Sequence, residues 1–306
     1  DYGRFTTFDL SGIQVAKGFS SVLYGANTLG GAINLVTRRP TKDFEGDAFL
    51  GASEGNGKRA ALNAGLKRDL YYFQVGGAYL SSDHWRLSKD FVPTAREDGG
   101  WRDNSYAMDK KLSLKAGFTP NATDEYVIGY LNQKGDKGNP VCTSTQISPT
   151  YWQWPTWNKE SAYDSTRTAL GAKSDLKLRA YYDTYVNTIY EFTDGTFSQI
   201  STKGKLKPTG MSFYKDFTHG LLAEFETTLI PANSLRAVLQ TKTDVHRENN
   251  GAIPDTAGWL HYQDRYVSAG VEDSIVLGRD WSLALGEGWD QLRPDQSGSW
   301  PLPDSK

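Results

Sequence analysis

One aromatic run, residues 151–157 (YWQWPTW), has the residue types best suited to binding a small molecule. Its four rings offer flat surfaces that stack on a planar chelate or a sugar, and exposed clusters of aromatic side chains commonly mark a binding surface. Two alternatives stay open: the rings pack on one another, or they anchor the chain at a membrane interface. We predict that a long loop presents the rings to a ligand, with contacts from Tyr151, Trp152, Trp154 and Trp157.

Charged residues later in the chain provide two further candidates. Arg247 follows a predicted strand and is expected at an outer rim, where its guanidinium suits the oxygens of an anionic chelate. A solvated rim position is the alternative. Glu224 and Glu226 are two residues apart and therefore share one face of a predicted strand, and Arg236 lies on the next strand. We predict that these three side chains form an interior polar network, with a structural or a switching role.

The sequence has no signature of an enzyme, a phosphate-binding loop or a metal centre. Gly25 and Gly30 have the spacing of a P-loop, but Gly31 stands where that motif needs a lysine. The segment 18–22 lacks the glycine that follows the serine of a nucleophile elbow. Metal-ligand spacing is missing among the four histidines, which are His84, His219, His246 and His261. We therefore predict no catalytic residue, no cofactor and no bound metal.

The elements that must position these residues are β-strands. In the segment 109–118, Leu112, Leu114, Ala116 and Phe118 alternate with polar or small residues, a period of two that predicts a strand with one apolar face. The same pattern recurs and gives eleven strand candidates after residue 43. Their approximate bounds are 44–53, 58–68, 70–81, 109–118, 125–133, 166–173, 175–187, 217–230, 234–245, 262–276 and 280–291.

The connections between these strands alternate in length. After the first hairpin, which is short, the long connections are 82–108, 134–165, 188–216 and 246–261. All long loops then lie at one end of the sheet, as in outer-membrane barrels, which have short turns on one side and long loops on the other. A soluble β-sandwich also alternates apolar and polar residues, but it has no reason to keep this phase. The loop pattern therefore favours a barrel.

Composition excludes two other classes of protein. The chain has 306 residues, a formal net charge of −2 and no apolar run near the roughly 20 residues of a spanning helix, so it is not a helical membrane protein. The near-neutral charge gives no broad basic field, so we predict no nucleic-acid partner. The 9 Trp, 17 Tyr and 13 Phe suit the aromatic girdles of a barrel. Cys142 is the sole cysteine, so no internal disulfide forms.

The segment 13–40 differs from everything that follows it. Two short runs, 13–17 and 32–37, are predicted strands, and the second is apolar enough to be buried on both faces. Between them lies a glycine-rich stretch, in which Gly30 and Gly31 predict a tight turn. Pro40 ends the unit because proline cannot donate to a β-ladder.

This segment resembles the C-terminal half of the plug domain of TonB-dependent outer-membrane receptors. The matched positions include Ile13, Val15, Lys17, Gly18, Ser21, Leu23, Tyr24, Gly25, Gly30, Gly31, Ile33, Asn34, Leu35, Val36, Thr37, Arg38, Arg39 and Pro40. The resemblance implies a structural or gating role for Lys17, Gly18, Tyr24, Gly25, Gly30, Gly31 and Asn34. Two positions depart from the pattern: Gln14 replaces an acidic residue and Phe19 replaces a proline.

The fold implied by the resemblance is all-β: a transmembrane antiparallel barrel of about 22 strands, plugged by an N-terminal domain. Residues 1–40 would be the C-terminal part of the plug, and 41–306 the N-terminal half of the barrel, about eleven strands. The resemblance covers only the second half of a plug, and residue 1 is preceded by no basic and apolar leader pattern, so we expect the first plug half, the TonB-contacting segment and a signal peptide to lie outside this sequence. Bacterial single-chain barrels have an even number of strands, and an open barrel would expose an unpaired edge in lipid, so we expect the last strands to lie outside it as well.

The function implied by the resemblance is TonB-dependent uptake of a scarce nutrient across the bacterial outer membrane. A ferric siderophore or another iron complex is the expected ligand because it is the commonest in the family. The expected partners are TonB, this ligand and outer-membrane lipid. Cobalamin, another metal chelate or a glycan are alternative ligands. A passive or adhesive barrel and a soluble glycan-binding sandwich are alternatives of another class.

Overall fold

The computed structural model describes residues 6–17, 30–249 and 259–297. Within these ranges the chain forms β-strands and loops, arranged as one two-stranded and one eleven-stranded antiparallel sheet. The strands are β1 Leu10–Lys17, β2 Gly31–Thr37, β3 Glu45–Ser53, β4 Gly57–Lys67, β5 Tyr71–Ser82, β6 Ala107–Phe118, β7 Glu125–Asn139, β8 Trp152–Ala169, β9 Ser174–Glu191, β10 Met211–Thr227, β11 Asn233–Asn249, β12 Leu260–Val276 and β13 Ser282–Ser297. The described residues contain no helix of the length and hydropathy needed to span a membrane.

The small sheet confirms the two strands predicted in the segment 13–40. β1 pairs with β2, and the amide of Asn34 donates to the side-chain oxygen of Gln14 at 2.9 Å. The prediction that β2 is buried on both faces is wrong, because Ile33 is 70% exposed and Leu35 is 40% exposed. Among the described residues, β2 pairs only with β1. The prediction failed because an apolar strand sequence does not show whether other residues cover both of its faces.

The glycines of the plug-like segment differ in what the fold requires of them. Gly31 has φ +126°, and a Cβ there would lie 2.2 Å from the carbonyl oxygen of Ala16, so only glycine fits. A Cβ on Gly30 would meet nothing within 4 Å. Lys17 ends β1 at the same end of the sheet as Gly31, its partner in the register. Three other predicted plug residues lie outside the described residues, namely Gly18, Tyr24 and Gly25.

The large sheet runs in sequence order from β3 to β13, and each strand is antiparallel to its neighbours. This confirms the eleven predicted strands. Several strands are longer than predicted, above all β8, which begins at Trp152 and not near residue 166. The connections 83–106, 140–151 and 192–210 lie at one end, called here the long-loop end, and the turns 119–124, 170–173 and 228–232 lie at the other. The predicted alternation of loop length is therefore confirmed.

One face of the large sheet contacts the N-terminal segment and is called here the inner face. The ammonium of Lys111 on β6 lies 2.8 Å from the carboxylate of Asp9, and Lys115 donates to the carbonyl of Arg38 at 2.8 Å. The amide of Asn63 on β4 donates to the carbonyl of Phe8 at 2.8 Å. Because residues paired across antiparallel strands share a face, the inner face can be followed from β4 through to β13.

The opposite face, called here the outer face, is mainly apolar, except on β8, where it carries polar residues such as Glu160 and Asp164. On β5 it presents Tyr71, Phe73, Val75 and Tyr79, all exposed. The nine residues from Tyr71 to Tyr79 span roughly 27 Å along the strand. Aromatic residues cluster at both ends, as in the girdles that flank the apolar band of membrane barrels, which is about 25 Å tall. On β5 the outer face therefore has the residue order typical of the lipid-facing side of a membrane barrel.

Candidate ligand-binding site

The predicted aromatic run lies in a strand and not in a loop. Trp152 begins β8, and Trp154 is the register partner of Lys137 on β7. Lys137 has the same side-chain direction as Gln133, the partner of inner-face Lys111, so the indole of Trp154 also belongs to the inner face. The prediction that a loop presents these rings is therefore wrong.

A β-bulge explains how residues at odd spacing share a face. The register between β8 and β9 shifts between Gln153 and Thr156, which inserts one extra residue into β8. Pro155 lies inside this irregularity, where a missing N–H costs no ladder hydrogen bond. The inserted residue restores Trp157 to the face of Trp154, although three positions separate them. The bulge also breaks the period of two, so the strand could not be recognised from the sequence.

The aromatic rings form a continuous row on the inner face. The ring centroids of Trp152 and Trp154 are 6.1 Å apart, and those of Trp154 and Trp157 are 5.5 Å apart. Tyr185 of β9 extends the row, with its centroid 6.3 Å from that of Trp157. Tyr151 instead packs edge-on against Phe197 of the 192–210 connection, at 6.2 Å. The structure therefore brings three of the four predicted aromatic residues together.

Lys137 places a positive charge within this row. Its ammonium lies 4.0 Å from the ring centroid of Trp157 and 5.0 Å from that of Trp154, within cation–π range. Sequence reasoning missed Lys137 because the predicted strand stopped at residue 133. Gly135 and Gly138 are three residues apart and break the period of two, so no pattern in the sequence indicated that β7 continues. An ammonium between two indoles suits a ligand that is both flat and anionic.

The aromatic row borders a cavity of about 370 Å³ at the long-loop end. This volume is within the range of small-molecule sites. Burial raises the pKa of Tyr106 to about 12, so its phenol keeps its proton and can donate to an anion. The lining combines rings with a few charged and polar groups and includes Trp85, Tyr106, Asp109, Lys137, Asn139 and Trp157.

The connection 83–106 provides part of this cavity and is braced from within. Glu97 is fully buried and pairs with Arg102, whose guanidinium also donates to the carbonyl of Val141 in the next long connection. Asp98 and Asp103 lie beside Glu97. Burial, together with the neighbouring carboxylates of Glu97 and Asp98, raises the pKa of Asp103. The brace joins the connections 83–106 and 140–151, both of which contribute residues to the cavity lining.

A larger groove of about 490 Å³ lies on the outer face, lined by residues such as Phe73, Val75, Leu114 and Ile128. Its walls are the apolar side chains that alternate with the inner-face residues. The groove is part of the apolar outer face and lies on the opposite side of the sheet from the aromatic row, so it is not assigned as the ligand-binding site.

Arg247 does not join the aromatic row. It lies near the long-loop end of β11, as predicted, but its guanidinium carbon is 5.1 Å from the ring centroid of Phe217, an outer-face residue of β10. Its Nε donates to the carbonyl of Lys215 at 3.2 Å. The prediction that Arg247 faces a chelate is therefore wrong within this arrangement, because the side chain points to the other side of the sheet.

Glu224, Glu226 and Arg236 are brought together on the inner face. Arg236 lies 3.2 Å from Glu226, and Lys177 of β9 lies 2.7 Å from Glu224 and 3.9 Å from Glu226. Sequence reasoning missed Lys177, although it is the register partner of Glu224. The network lies near the short-turn end, far along the strands from the aromatic row, and its role stays a prediction.

Comparison with known proteins supports the architecture. No model of a protein family matches the chain. A ferripyoverdine receptor from Pseudomonas aeruginosa is 39% identical over 51 residues, which is 17% of this chain and 6% of that receptor. The copper transporter OprC aligns with a TM-score of 0.77 and 14% identity, covering 93% of this chain and 42% of that one.

Two further solved structures have the same arrangement. The FrpB iron transporter from Neisseria meningitidis aligns with a TM-score of 0.73 and 14% identity, covering 94% of this chain and 48% of the transporter. The siderophore receptor PirA from Acinetobacter baumannii aligns with a TM-score of 0.71 and 15% identity, covering 98% and 46%. The chain therefore shares the fold of these structures, an antiparallel barrel sheet preceded by a small two-stranded sheet, and it spans less than half of their length.

Proposed function

We propose that the chain belongs to a TonB-dependent receptor of the bacterial outer membrane that takes up a ferric siderophore or another iron complex. Residues 1–40 then form the C-terminal part of the plug and residues 41–306 the first half of the barrel. The observation that carries the proposal is the inner-face cavity at the long-loop end, bordered by Trp157 and Lys137. The similarity to an iron transporter and a siderophore receptor supports iron as the cargo.

The cavity offers a flat chelate one ring and one cation. The indole of Trp157 lines the cavity, Trp154 extends the stacking surface beside it, and Lys137 places an ammonium against both rings for an anionic oxygen of the ligand. Asp109 and Asp136 also line the cavity, so the anionic oxygens must lie on the Lys137 side. The phenol of Tyr106 adds a donor for an anionic oxygen. A small number of placed polar groups in a mainly apolar lining is the usual composition of a specific small-molecule site.

The N-terminal segment lies on the inner face, across the path from this cavity to the short-turn end. It is held by separate polar contacts: Asp9 with Lys111, Arg38 with Lys115, and Arg39 with Glu125 at 3.2 Å. In the proposed mechanism a ligand bound above the segment cannot pass while these contacts hold. Force applied by TonB through the plug breaks them one after another, which costs less at each step than breaking them together.

The test is the affinity of the complete, detergent-solubilised receptor for a panel of ferric catecholate and hydroxamate siderophores. Trp157→Ala removes a ring that lines the cavity and contacts Lys137. Trp101→Ala is the matched control, because Trp101 lies in the connection 83–106, which contributes to the cavity, but is not itself a lining residue. Loss of one stacked ring costs about 1–3 kcal/mol, so we expect roughly 5- to 150-fold weaker binding for Trp157→Ala only. Equal affinity of both variants and wild type, for every chelate that binds, would refute this site.

A further inference from the structure

Four basic residues lie on the outer face near the long-loop end of adjacent strands. They are Lys215 on β10, Arg247 on β11, Arg265 on β12 and Arg293 on β13, and we call them the basic row. The register places them on one face. Arg265 pairs with Arg293 of β13 and with Thr243 of β11. Thr243 and Arg247 are four residues apart on β11, so their side chains point to the same face. The Nε of Arg247 donates to the backbone of Lys215, so the first two members are in contact.

The basic row follows a defined order of side chains on the outer face. Leu221 and Leu239, both more than half exposed, are apolar positions nearer the middle of β10 and β11. Phe217 comes next toward the long-loop end and stacks on Tyr182 of β9 at 6.0 Å. Arg247 then covers Phe217. Apolar, aromatic and basic residues thus succeed one another along the strands, in the order of hydrocarbon, interface and phosphate head groups.

Among the described residues, the carboxylates that pair with the basic row do not balance its charge. Arg265 and Arg293 are direct cross-strand partners and are 52% and 73% exposed. Like charges directly opposite each other destabilise a sheet. Both guanidinium groups lie within 3.3 Å of the same carboxylate, Asp295, which cannot neutralise two cations. Lys215 has its ammonium 5.1 Å from the ring of Trp259.

A second pair on the same face repeats this arrangement. Lys110 of β6 is the register partner of Lys134 of β7, and both are exposed. The ammonium of Lys110 lies 5.8 Å from the ring centroid of Tyr79, the aromatic residue at the long-loop end of the outer face of β5. Like-charged partners therefore recur beside an aromatic residue at the same end of the sheet. Lys110 has one acidic neighbour, Asp136 of β7, so here too a single carboxylate faces two cations.

We propose that the basic row binds phosphate groups of outer-leaflet lipid, which rests on the outer-membrane location in the proposed function. The planar forks of Arg247, Arg265 and Arg293 match phosphate oxygens in pairs, and Lys215 adds a point charge. A lipid is the occupant because the apolar band lies directly beside the row. Acyl chains can then pack on Leu221 and Leu239 while the phosphates reach the cations.

The proposal is tested by titrating the complete, detergent-solubilised receptor with lipid A, the phosphorylated glycolipid of the bacterial outer leaflet. The test variant carries Arg247→Gln, Arg265→Gln and Arg293→Gln. A basic residue at an anionic membrane surface contributes about fivefold in affinity, so the three changes are expected to weaken lipid A binding on the order of a hundredfold. The matched control is Lys242→Gln, which removes one cation from the inner face of β11, where Lys242 pairs with Asp244 at 2.8 Å.

Further probes separate the possible outcomes. Dephosphorylated lipid A should bind wild type as weakly as lipid A binds the triple variant, and inorganic phosphate alone should not saturate the row, because it lacks the acyl chains. Replacing the same three arginines by lysine keeps the charge but removes the paired contacts, so this variant should bind lipid A more weakly than wild type and more tightly than the glutamine variant. Unchanged siderophore binding by the glutamine variant would exclude misfolding as the cause of its loss. Equal lipid A affinity of wild type and glutamine variant, or full occupancy by inorganic phosphate, would overturn the proposal. A receptor absent from the outer-membrane fraction would instead overturn the proposed location.

Discussion

A buried ion pair holds the N-terminal segment against the large sheet, and the strength of this contact can be worked out from its burial. The side chains of Asp9 and Lys111 are only 10% and 14% exposed, and their charged atoms are 2.8 Å apart. Lys111→Met keeps the aliphatic stem but leaves the carboxylate of Asp9 buried without its cation. Removing one partner of such a pair costs about 3–5 kcal/mol. Because this free energy holds the N-terminal segment on the large sheet, β1 should detach from the sheet more often in the variant.

The assay is amide hydrogen exchange of β1 in the complete receptor, because exchange reports the free energy of local opening. A loss of 3–5 kcal/mol corresponds to roughly 100- to 4,000-fold faster exchange. The double variant Lys111→Met with Asp9→Asn removes both charges and should recover part of the protection. The exposed pair of Arg68 and Asp43, 3.7 Å apart, provides the control, and Asp43→Asn should leave exchange unchanged. Equal exchange in Lys111→Met and wild type would show that the ion pair does not hold β1 in place.

Two further predictions concern glycine and a carboxylate outside the spanning strands. Gly31→Val should disrupt the β1–β2 hairpin, because its Cβ would meet the backbone of Ala16, whereas Gly30→Val should be tolerated; proteolysis of the segment distinguishes them. Asp124 accepts hydrogen bonds from the backbone N–H of Ala169 and from the side-chain amide of Asn121. These bonds, the first more than the second, lower the pKa of Asp124 below its usual 3.8. Asp124 therefore contributes its full stabilisation of the folded state at pH values above its pKa in the unfolded chain. This contribution is lost as the pH falls through its pKa in the folded protein. Asp124→Asn should lower Tm at pH 7, and the difference should shrink as the pH falls below 3.8; a difference that does not change with pH would contradict this.

Regular strands with one apolar face were predictable from the sequence. The segments 58–68 and 109–118 correspond to β4 and β6 within one or two residues at each end. Their outer residues are apolar and their inner residues polar or small, so the period of two is visible. The loop alternation was also predictable, because it depends on strand order and not on exact bounds. Both features reflect a sheet with one face toward lipid and one toward the N-terminal segment.

The parts that could not be predicted lie where this pattern fails. β8 has polar residues on both faces, such as Glu160 outside and Lys159 inside, and its bulge at Pro155 shifts the period. Its first half therefore resembled a loop, and Trp154 and Trp157 were assigned to the wrong element. The face of Arg247 could not be predicted either, because its direction depends on the register with β10.

TonB-dependent iron import is tested most directly by the uptake of radiolabelled ferric siderophores into cells that carry the complete receptor as their only iron receptor. We predict energy-dependent uptake that disappears when TonB is deleted and that falls strongly with Trp157→Ala but not with Trp101→Ala. Uptake that is the same with and without TonB would indicate a passive barrel and contradict active import. Uptake of no iron chelate would contradict the assignment of iron as the cargo.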